Sequence, residues 1–369
     1  MKKLILLFLI TFTFFEKVDA EVKSQEIRIE KFVSELKLLQ KKNNILGLSV
    51  GIVKDNVLIW SDGYGFVDSD RTVRMTADTP LWIASITKSF VALTMLQLEA
   101  ENLINTSELA SETPNFNGLC QWLSTSSLPF GEDLNCDSKI TIKNILNHQV
   151  NGSPGTRFLY NPIMYSRLSR YLEHKLGNGI DFVEGRHNLL AQSIDRLILI
   201  PADMTRTMSS QWDRTKSDVY FDMGRGFTYD GNQYKKSPSP DRHIAGGAGI
   251  VSTVNDLAKY DIAINNGTIA NSKIKEKLFS SAKFENGHNS PYGFGWYFQN
   301  FKNKDLMWHS GWDSDAGYSS FILKVPQEQI TFIALANTEG LNWNNPLDKA
   351  EIDKSPFALL FLKTFIEGS

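Results

Sequence analysis

Residues Phe90, Val91, Leu93, Met95, Leu96 and Leu98 recur as an apolar helix carrying no charge, and such a helix has to be wrapped by the rest of the chain. It is opened by Ser85-Ile86-Thr87-Lys88. Two polar groups three residues apart share one helical face, so the Lys88 amine can reach the Ser85 hydroxyl. A serine is a weak nucleophile until a neighbouring base takes its proton, and a lysine can be that base once burial lowers its pKa. A helix start also favours developing negative charge. The same spacing recurs at Ser34 and Lys37, Ser272 and Lys275, and Ser280 and Lys283, but among charged neighbours. Ser85 instead follows a Thr79-Pro80 turn and a short apolar entry, which makes it the candidate nucleophile.

The chain has 369 residues, 42% of them apolar, enough for a large core. Its net charge is −2 with no basic stripe, which argues against a nucleic-acid partner. Its six histidines are scattered singly, so neither a metal nor a cofactor is expected. Lys2 and Lys3, the apolar run Leu4 to Phe15 and Val18-Asp19-Ala20 form an export-signal pattern. As a helix that run is only about 18 Å long, against roughly 30 Å of hydrocarbon, so no stable membrane anchor is expected. The expectation is a signal peptide over residues 1–20 and one secreted, periplasmic catalytic domain over 21–369. Cys120 and Cys136 are the two cysteines. In an oxidising compartment they are expected to close a short disulfide loop, adding up to about 3 kcal/mol; two free thiols are the other reading.

Ile29, Phe32, Val33, Leu36 and Leu39 mark an amphipathic N-terminal helix. Leu48 to Val53 and Val57 to Trp60 form a hairpin around Lys54-Asp55-Asn56. Short helices are expected over Ile140 to Leu146, Tyr165 to Leu176 and Ser252 to Ile264. Leu306 to His309, Gly317 to Val325 and Ile330 to Ala336 are strands, and Ser355-Pro356 opens a terminal helix. Strands at both ends with helices between them predict an α+β fold. One antiparallel sheet is flanked by the N- and C-terminal helices, with a mainly helical region inserted.

This order and its motifs resemble the serine beta-lactamase and penicillin-binding family, in its class C, carboxypeptidase and esterase branch. The resemblance rests on the Leu48 to Val53 and Gly63-Tyr64-Gly65 hairpin, Ala84-Ser85-Ile86-Thr87-Lys88, Ile145-Leu146-Asn147-His148 and Pro154 to Phe158. Tyr160, Tyr165, Ala245-Gly246-Gly247, Val251-Ser252-Thr253, Tyr292 to Trp296 and His309-Ser310-Gly311 complete it. It implies that Ser85 attacks a carbonyl and forms an acyl-enzyme, with Lys88 taking its proton. It implies Tyr160 as a phenolate-like base or relay, its pKa held down by Lys88. The backbone N–H groups of Ser85 and Trp312 would form the oxyanion hole, His309 would belong to the substrate site, and Gly311 would leave room for substrate along a strand edge.

Two departures stand out. The family's Tyr-x-Asn is Tyr160-Asn161-Pro162 here, which puts antibiotic-amide chemistry in doubt more than acyl transfer. Only Gln149 to Ser153 separate His148 from the Pro154 segment, where relatives carry a substantial loop. The cysteine segment, Pro114 to Ser138, is either a replacement wall or an inert surface excursion.

Plainer readings stand beside these. Gly47-Leu48-Ser49-Val50-Gly51 matches a nucleophile elbow but lacks the strand before it and the helix after it, so Ser49 is an ordinary strand residue. Gly246 to Gly249 is a tight turn rather than a phosphate cradle. His148 is structural, and His309 is either a core histidine beside Trp308 or a site residue without a fixed charge at neutral pH. The function expected is a serine hydrolase acting on a small-molecule or peptide-like ester or amide, beta-lactam-like amides included, with an esterase, a D-amino-acid peptidase and a beta-lactamase all open; the alternative is a non-catalytic protein of the same fold that recognises cell-wall fragments. Oligomeric state is not legible.

Overall fold

The computed structural model describes residues 23, 25–177, 187–240 and 244–367. The expected signal over 1–20 lies outside them. Helix α1 spans residues 25–42. Strand β1 (Gly47–Lys54) turns at Asp55 and Asn56, both with positive φ (50° and 62°), into β2 (Val57–Gly65). Two successive left-handed residues match the twist of a tight hairpin, and Asp and Asn tolerate them best.

The short strand β3 (Leu81–Trp82) leads into α2 (Thr87–Ala100). A helical region follows: α3 (Phe116–Ser124), α4 (Ile142–Leu146), α5 (Pro162–Tyr165), α6 (Arg167–Leu176), α7 (Leu189–Ile194) and α8 (Ser217–Asp222). A small hairpin, β4 (Phe227–Tyr229) with β5 (Tyr234–Lys236), precedes β6 (Val251–Ser252), α9 (Val254–Asn265) and α10 (Ser272–Leu278). The chain then returns as β7 (Tyr292–Gly293), β8 (Trp296–Phe301), β9 (Lys304–Asp313), β10 (Tyr318–Val325) and β11 (Ile330–Ala336), and ends in α11 (Pro356–Leu362).

The main sheet runs β2-β1-β11-β10-β9-β8-β7, all antiparallel, so the N-terminal hairpin zips onto the C-terminal strands. This is the α+β architecture expected. Strand pleating sends alternate residues to opposite faces. Leu48, Val50, Ile52, Phe321, Leu323 and Phe332 face α1 and α11, where Phe332 lies 5.3 Å from Phe32 and 5.1 Å from Phe361. Ile322, Ile333 and Leu335 face the other way, toward α2 and α9. A Cβ on Gly51 would sit 2.6 Å from Val254 Cγ1, so α9 can lie on β1 only where that side chain is missing.

Some boundaries differ from expectation. Thr141 caps α4 reciprocally with Asn144, so that helix begins at Ile142. The expected 165–176 helix is two: Asn161 caps α5 with Pro162 in its first turn, and α6 starts anew after Ser166. Ser355 caps α11 as anticipated. Ser49 is a buried strand residue donating to the Thr76 carbonyl at 2.7 Å. No helix among the described residues is long and apolar enough to cross a membrane.

Between sheet and α9 lies a buried ion pair, Lys324 with Asp261, whose remaining capacity goes to Asn265 and Thr331. Lys324→Met alone strands the Asp261 carboxylate in the interior and is expected to cost about 3–5 kcal/mol in urea denaturation. The double variant Lys324→Met, Asp261→Leu is expected to recover much of that loss; equal losses in both would contradict this reading.

Candidate active site

The turn carrying Ser85 is held from three sides. Leu81 in β3 pairs with Ser252 in β6, and the Ile83 N–H donates to the Ile250 carbonyl at 3.1 Å. The Ile83 carbonyl in turn accepts from Ser320 Oγ of β10 at 2.9 Å. Ala84 is thereby kept at φ 46°, a left-handed conformation that costs a non-glycine residue about 1–2 kcal/mol. Ser85 follows in a single tight turn (Ala84–Ile86) ahead of α2 and stays half-buried, not sealed. Ser34, Ser272 and Ser280, the other serines at this spacing, are exposed.

Gly311 supplies the third side. A Cβ there would lie 2.3 Å from the Ile83 carbonyl oxygen and 3.0 Å from Ala84 Cβ. The expectation that Gly311 leaves room for substrate is therefore corrected: its missing side chain lets β9 press directly on the turn before Ser85. Trp312, one residue beyond that contact, exposes its indole and donates Nε1–H to Glu339 at 3.2 Å.

Lys88 is completely buried. Its Nζ lies 2.9 Å from Ser85 Oγ and 2.7 Å from the Gly247 carbonyl oxygen, over the rings of Tyr160 (4.8 Å) and Tyr165 (5.6 Å). No carboxylate among the described residues pairs with it. Loss of hydration therefore drives its pKa well below the ordinary lysine value, toward the neutral amine. In the sequence Gly247 stands in the Ala245-Gly246-Gly247 motif and in a tight turn, with no role of its own. Its carbonyl orients the lysine, and the signal was the glycine pair itself: a Cβ on Gly246 would lie 2.7 Å from the Tyr165 carbonyl oxygen.

Tyr160 stands beside Ser85 and Lys88 but not in the form expected. Burial raises its pKa well above the ordinary tyrosine value, and the nearby Ser85 hydroxyl opposes only part of that rise. The phenolate expectation is corrected: a phenol this desolvated keeps its proton. Its hydroxyl is buried without a hydrogen-bond partner among the described residues. Its ring lies 4.4 Å from the His148 ring, tilted 43° to it, and its backbone N–H donates to the Leu347 carbonyl at 2.7 Å.

His309 is 1% exposed, and burial lowers its pKa to about 3. Nδ1 is 2.7 Å from the Ser310 carbonyl oxygen, so that nitrogen carries the proton, and Nε2 accepts from the Tyr292 hydroxyl at 3.0 Å. Both ring nitrogens are thus occupied. The expectation of His309 as a substrate-binding group is corrected to a neutral, buried support beneath Tyr160, 6.0 Å away. His148, also buried, accepts the Asn161 N–H on Nδ1 at 3.0 Å and packs among Tyr160, Tyr165 and Tyr292. It is structural, as expected, but it supports the site rather than a distant core.

The Tyr292 to Trp296 motif closes the base of the cluster. Asn147 Oδ1 accepts the Phe294 N–H at 3.0 Å, and a Cβ on Gly295 would meet the Lys88 carbonyl oxygen at 2.6 Å. Asn161 does not turn toward Ser85: its amide bonds the Phe130 carbonyl and Asn151, and its oxygen caps α5. Cys120 and Cys136 are joined by a disulfide. Among the described residues one metal-capable group, His187, Asp195 and Asp213, has donor atoms within 4.8 Å of one another. His187 and Asp195 are already hydrogen-bonded at 2.7 Å, and none of the residues around Ser85 belongs to this group.

A buried amine with a depressed pKa, touching a serine on a strained turn, is an arrangement able to deprotonate that serine for attack. Comparisons with known proteins place the arrangement in context. The chain is 26% identical to Protein flp of Staphylococcus aureus over 327 residues, covering 80% of this chain and 60% of that protein. It is 23% identical to Penicillin-binding protein 4* of Bacillus subtilis over 325 residues, covering 76% of this chain and 66% of that protein. The chain thus spans less than two thirds of the length of these relatives. In fold it is similar to the octameric penicillin-binding protein homologue from Pyrococcus abyssi, with TM-score 0.68, 22% identity, and 91% of this chain and 77% of that chain covered. It is also similar to D-alanine carboxypeptidase AmpC from Burkholderia cenocepacia, with TM-score 0.65, 16% identity, and 90% and 99% covered. The D-amino acid amidase from Ochrobactrum anthropi SV3 gives TM-score 0.63 at 15% identity, with 92% and 99% covered. Residues 32–355, nearly all of the chain, match the Beta-lactamase family, and the protein belongs to it.

Proposed function

We propose that the protein is an exported serine hydrolase that forms an acyl-enzyme on Ser85, acting on an ester or on an amide with no carboxylate beside the scissile bond. One observation carries this reading: the fully buried Lys88 amine, 2.9 Å from Ser85 Oγ, with no acidic partner among the described residues. A lysine kept for structure would be paired or exposed; one stripped of water and left touching a serine is suited to accept its proton.

Ser85 Oγ attacks the substrate carbonyl carbon while its proton passes to Lys88 Nζ. The backbone N–H groups of Ser85 and Trp312, which flank the Gly311 contact, receive the oxyanion. The proton then moves from Lys88 to the leaving alkoxide or amine, with the Tyr160 phenol relaying it as a neutral group. Water repeats the cycle on the acyl-serine and frees the acid. β8 covers β9 only as far as Trp308, so the rest of β9, beside Ser85, has no neighbouring strand on that side among the described residues. An extended substrate can pair along it.

The leaving-group preference follows from charge. His309 is neutral and enclosed, and Lys88 is uncharged while it acts as a base. Among the described residues the cluster around Ser85 therefore offers no fixed cation for a carboxylate, and esters or neutral amides are favoured over free acyl-dipeptides. Export is supported by the Lys2 to Ala20 pattern and by a disulfide suited to an oxidising compartment.

Three outcomes are expected. Intact mass spectrometry with an activated ester should give an adduct on wild type and none on Ser85→Ala; full hydrolytic activity in Ser85→Ala would end the proposal. Wild-type kcat/KM should rise with pH along an acid limb set by Lys88, because only its neutral amine accepts a proton and its pKa lies below the ordinary 10.5. Lys88→Arg, which cannot deprotonate, should lose roughly a thousandfold or more and shed that limb. Gly311→Ala, whose Cβ collides with the turn before Ser85, should lower kcat/KM about a hundredfold in the same ester assay; unchanged kinetics would refute the close-packing role.

A further inference from the structure

The segment between α3 and α4 has little to hold it by burial. From Pro129 to Asp137 it exposes Glu132, Asp133, Asn135 and Asp137, and only Gly131 and Leu134 are buried. Its covalent tether is Cys136, half-buried, bonded to Cys120 on α3, which is fully buried. Its backbone carbonyls nevertheless anchor the active site. Asn151 Nδ2 donates to the Phe130 carbonyl at 2.9 Å and to the Glu132 carbonyl at 2.8 Å. Asn161 Nδ2 donates to the same Phe130 carbonyl at 2.9 Å and to Asn151 Oδ1 at 3.0 Å. Both asparagines are completely buried. Asn161 also gives its N–H to His148 Nδ1, and His148 carries the ring of Tyr160, the residue before Asn161.

We infer that the disulfide-tied segment is a positioning clamp for Tyr160, acting through the buried pair Asn151 and Asn161, so that the state of the Cys120–Cys136 bond sets the rate of the reaction at Ser85. The inference rests on the hydrolase reading above and extends it to residues that touch no reacting atom. Among the described residues Tyr160 is held by its backbone bond to Leu347, by ring contacts and by this chain of amides. The further contacts across the junction are the Gly152 N–H to the Asp133 carbonyl, a bridge between Leu134 and Gly152, and Arg157 facing Asp133 and Glu132. Those ion pairs sit in solvent and hold little by themselves. Cutting the covalent tether leaves the Phe130 and Glu132 carbonyls free to drift, and a displacement on the order of 1 Å at a group beside the nucleophile is costly in rate.

The test uses the full chain in two states. Dithiothreitol, itself oxidised to its ring disulfide, converts the bond to two thiols, which intact mass verifies. Short-chain ester turnover and amide hydrogen exchange at residues 158–161 are then read on both samples. Reduction is expected to lower kcat about tenfold to a hundredfold with little change in KM, to speed exchange at Tyr160 and Asn161, and to reverse on reoxidation. Asn151→Ala, with the bond intact, should reproduce the kcat loss, and reducing that variant should add almost nothing, because both cuts break one chain. Unchanged kcat and exchange after reduction would overturn the inference, as would fully additive losses. Faster exchange with no Ser85-dependent turnover in either state would leave the clamp standing and remove the hydrolase reading instead.

Discussion

Everything else in the site depends on one amine held out of water. An ammonium at the position of Lys88 would have to be solvated by one carbonyl, one hydroxyl and the faces of two tyrosines, and that is too little to offset its lost hydration. The neutral amine fits the same place with its hydrogen bonds met. Burial therefore does the chemistry that a base strong in water could not do near neutrality. The same desolvation keeps Tyr160 protonated and His309 and His148 uncharged. Beside them Lys88 is pushed toward the neutral amine, so that a single proton can move through the cluster without creating a lasting buried charge.

The fold exists, in this view, to hold that amine dry while leaving the serine reachable. The sheet supplies a rigid floor, because β1, β10 and β11 are buried on both faces. β9 then presses its backbone onto the turn before Ser85, which only a glycine at 311 permits. Ser320 and Ile250 fix the two sides of that turn, and the left-handed Ala84 is stable because those contacts over-determine it. From the helical region come Tyr160, Tyr165 and the Gly247 carbonyl, which roof the amine. The two halves meet along Lys88.

Much of this was legible in the sequence because it rests on local pattern. The apolar run after Ser85, the alternation along β10 and β11, the Asp55-Asn56 turn and the Ser355-Pro356 helix start each reflect a short-range rule. Motif order gave the identities of Ser85, Lys88, Tyr160 and Gly311. Their physical states were not legible, because a pKa or a close contact depends on atoms far away in the chain. Tyr160 reads as a base until its burial is known. His309 reads as a substrate group until Tyr292 and the Ser310 carbonyl are seen to occupy both its nitrogens. Gly311 reads as space for substrate until Ile83 is found against it. Asn161 carried no positive signal of its own; that its amide closes a buried link to the cysteine segment follows only from the three-dimensional meeting of Phe130, Asn151 and His148.

The most direct check on the account is the charge of Lys88 itself. Protein labelled with carbon-13 at lysine Cε, with the resonance assigned by comparison with Lys88→Arg, reports that charge by its chemical shift as pH is varied. The account predicts that near pH 7 the Lys88 signal sits at the neutral-amine position while exposed lysines stay at the charged one. A Lys88 signal that remains at the charged position up to the ordinary lysine value of 10.5 would contradict it, and a different base for Ser85 would then be needed.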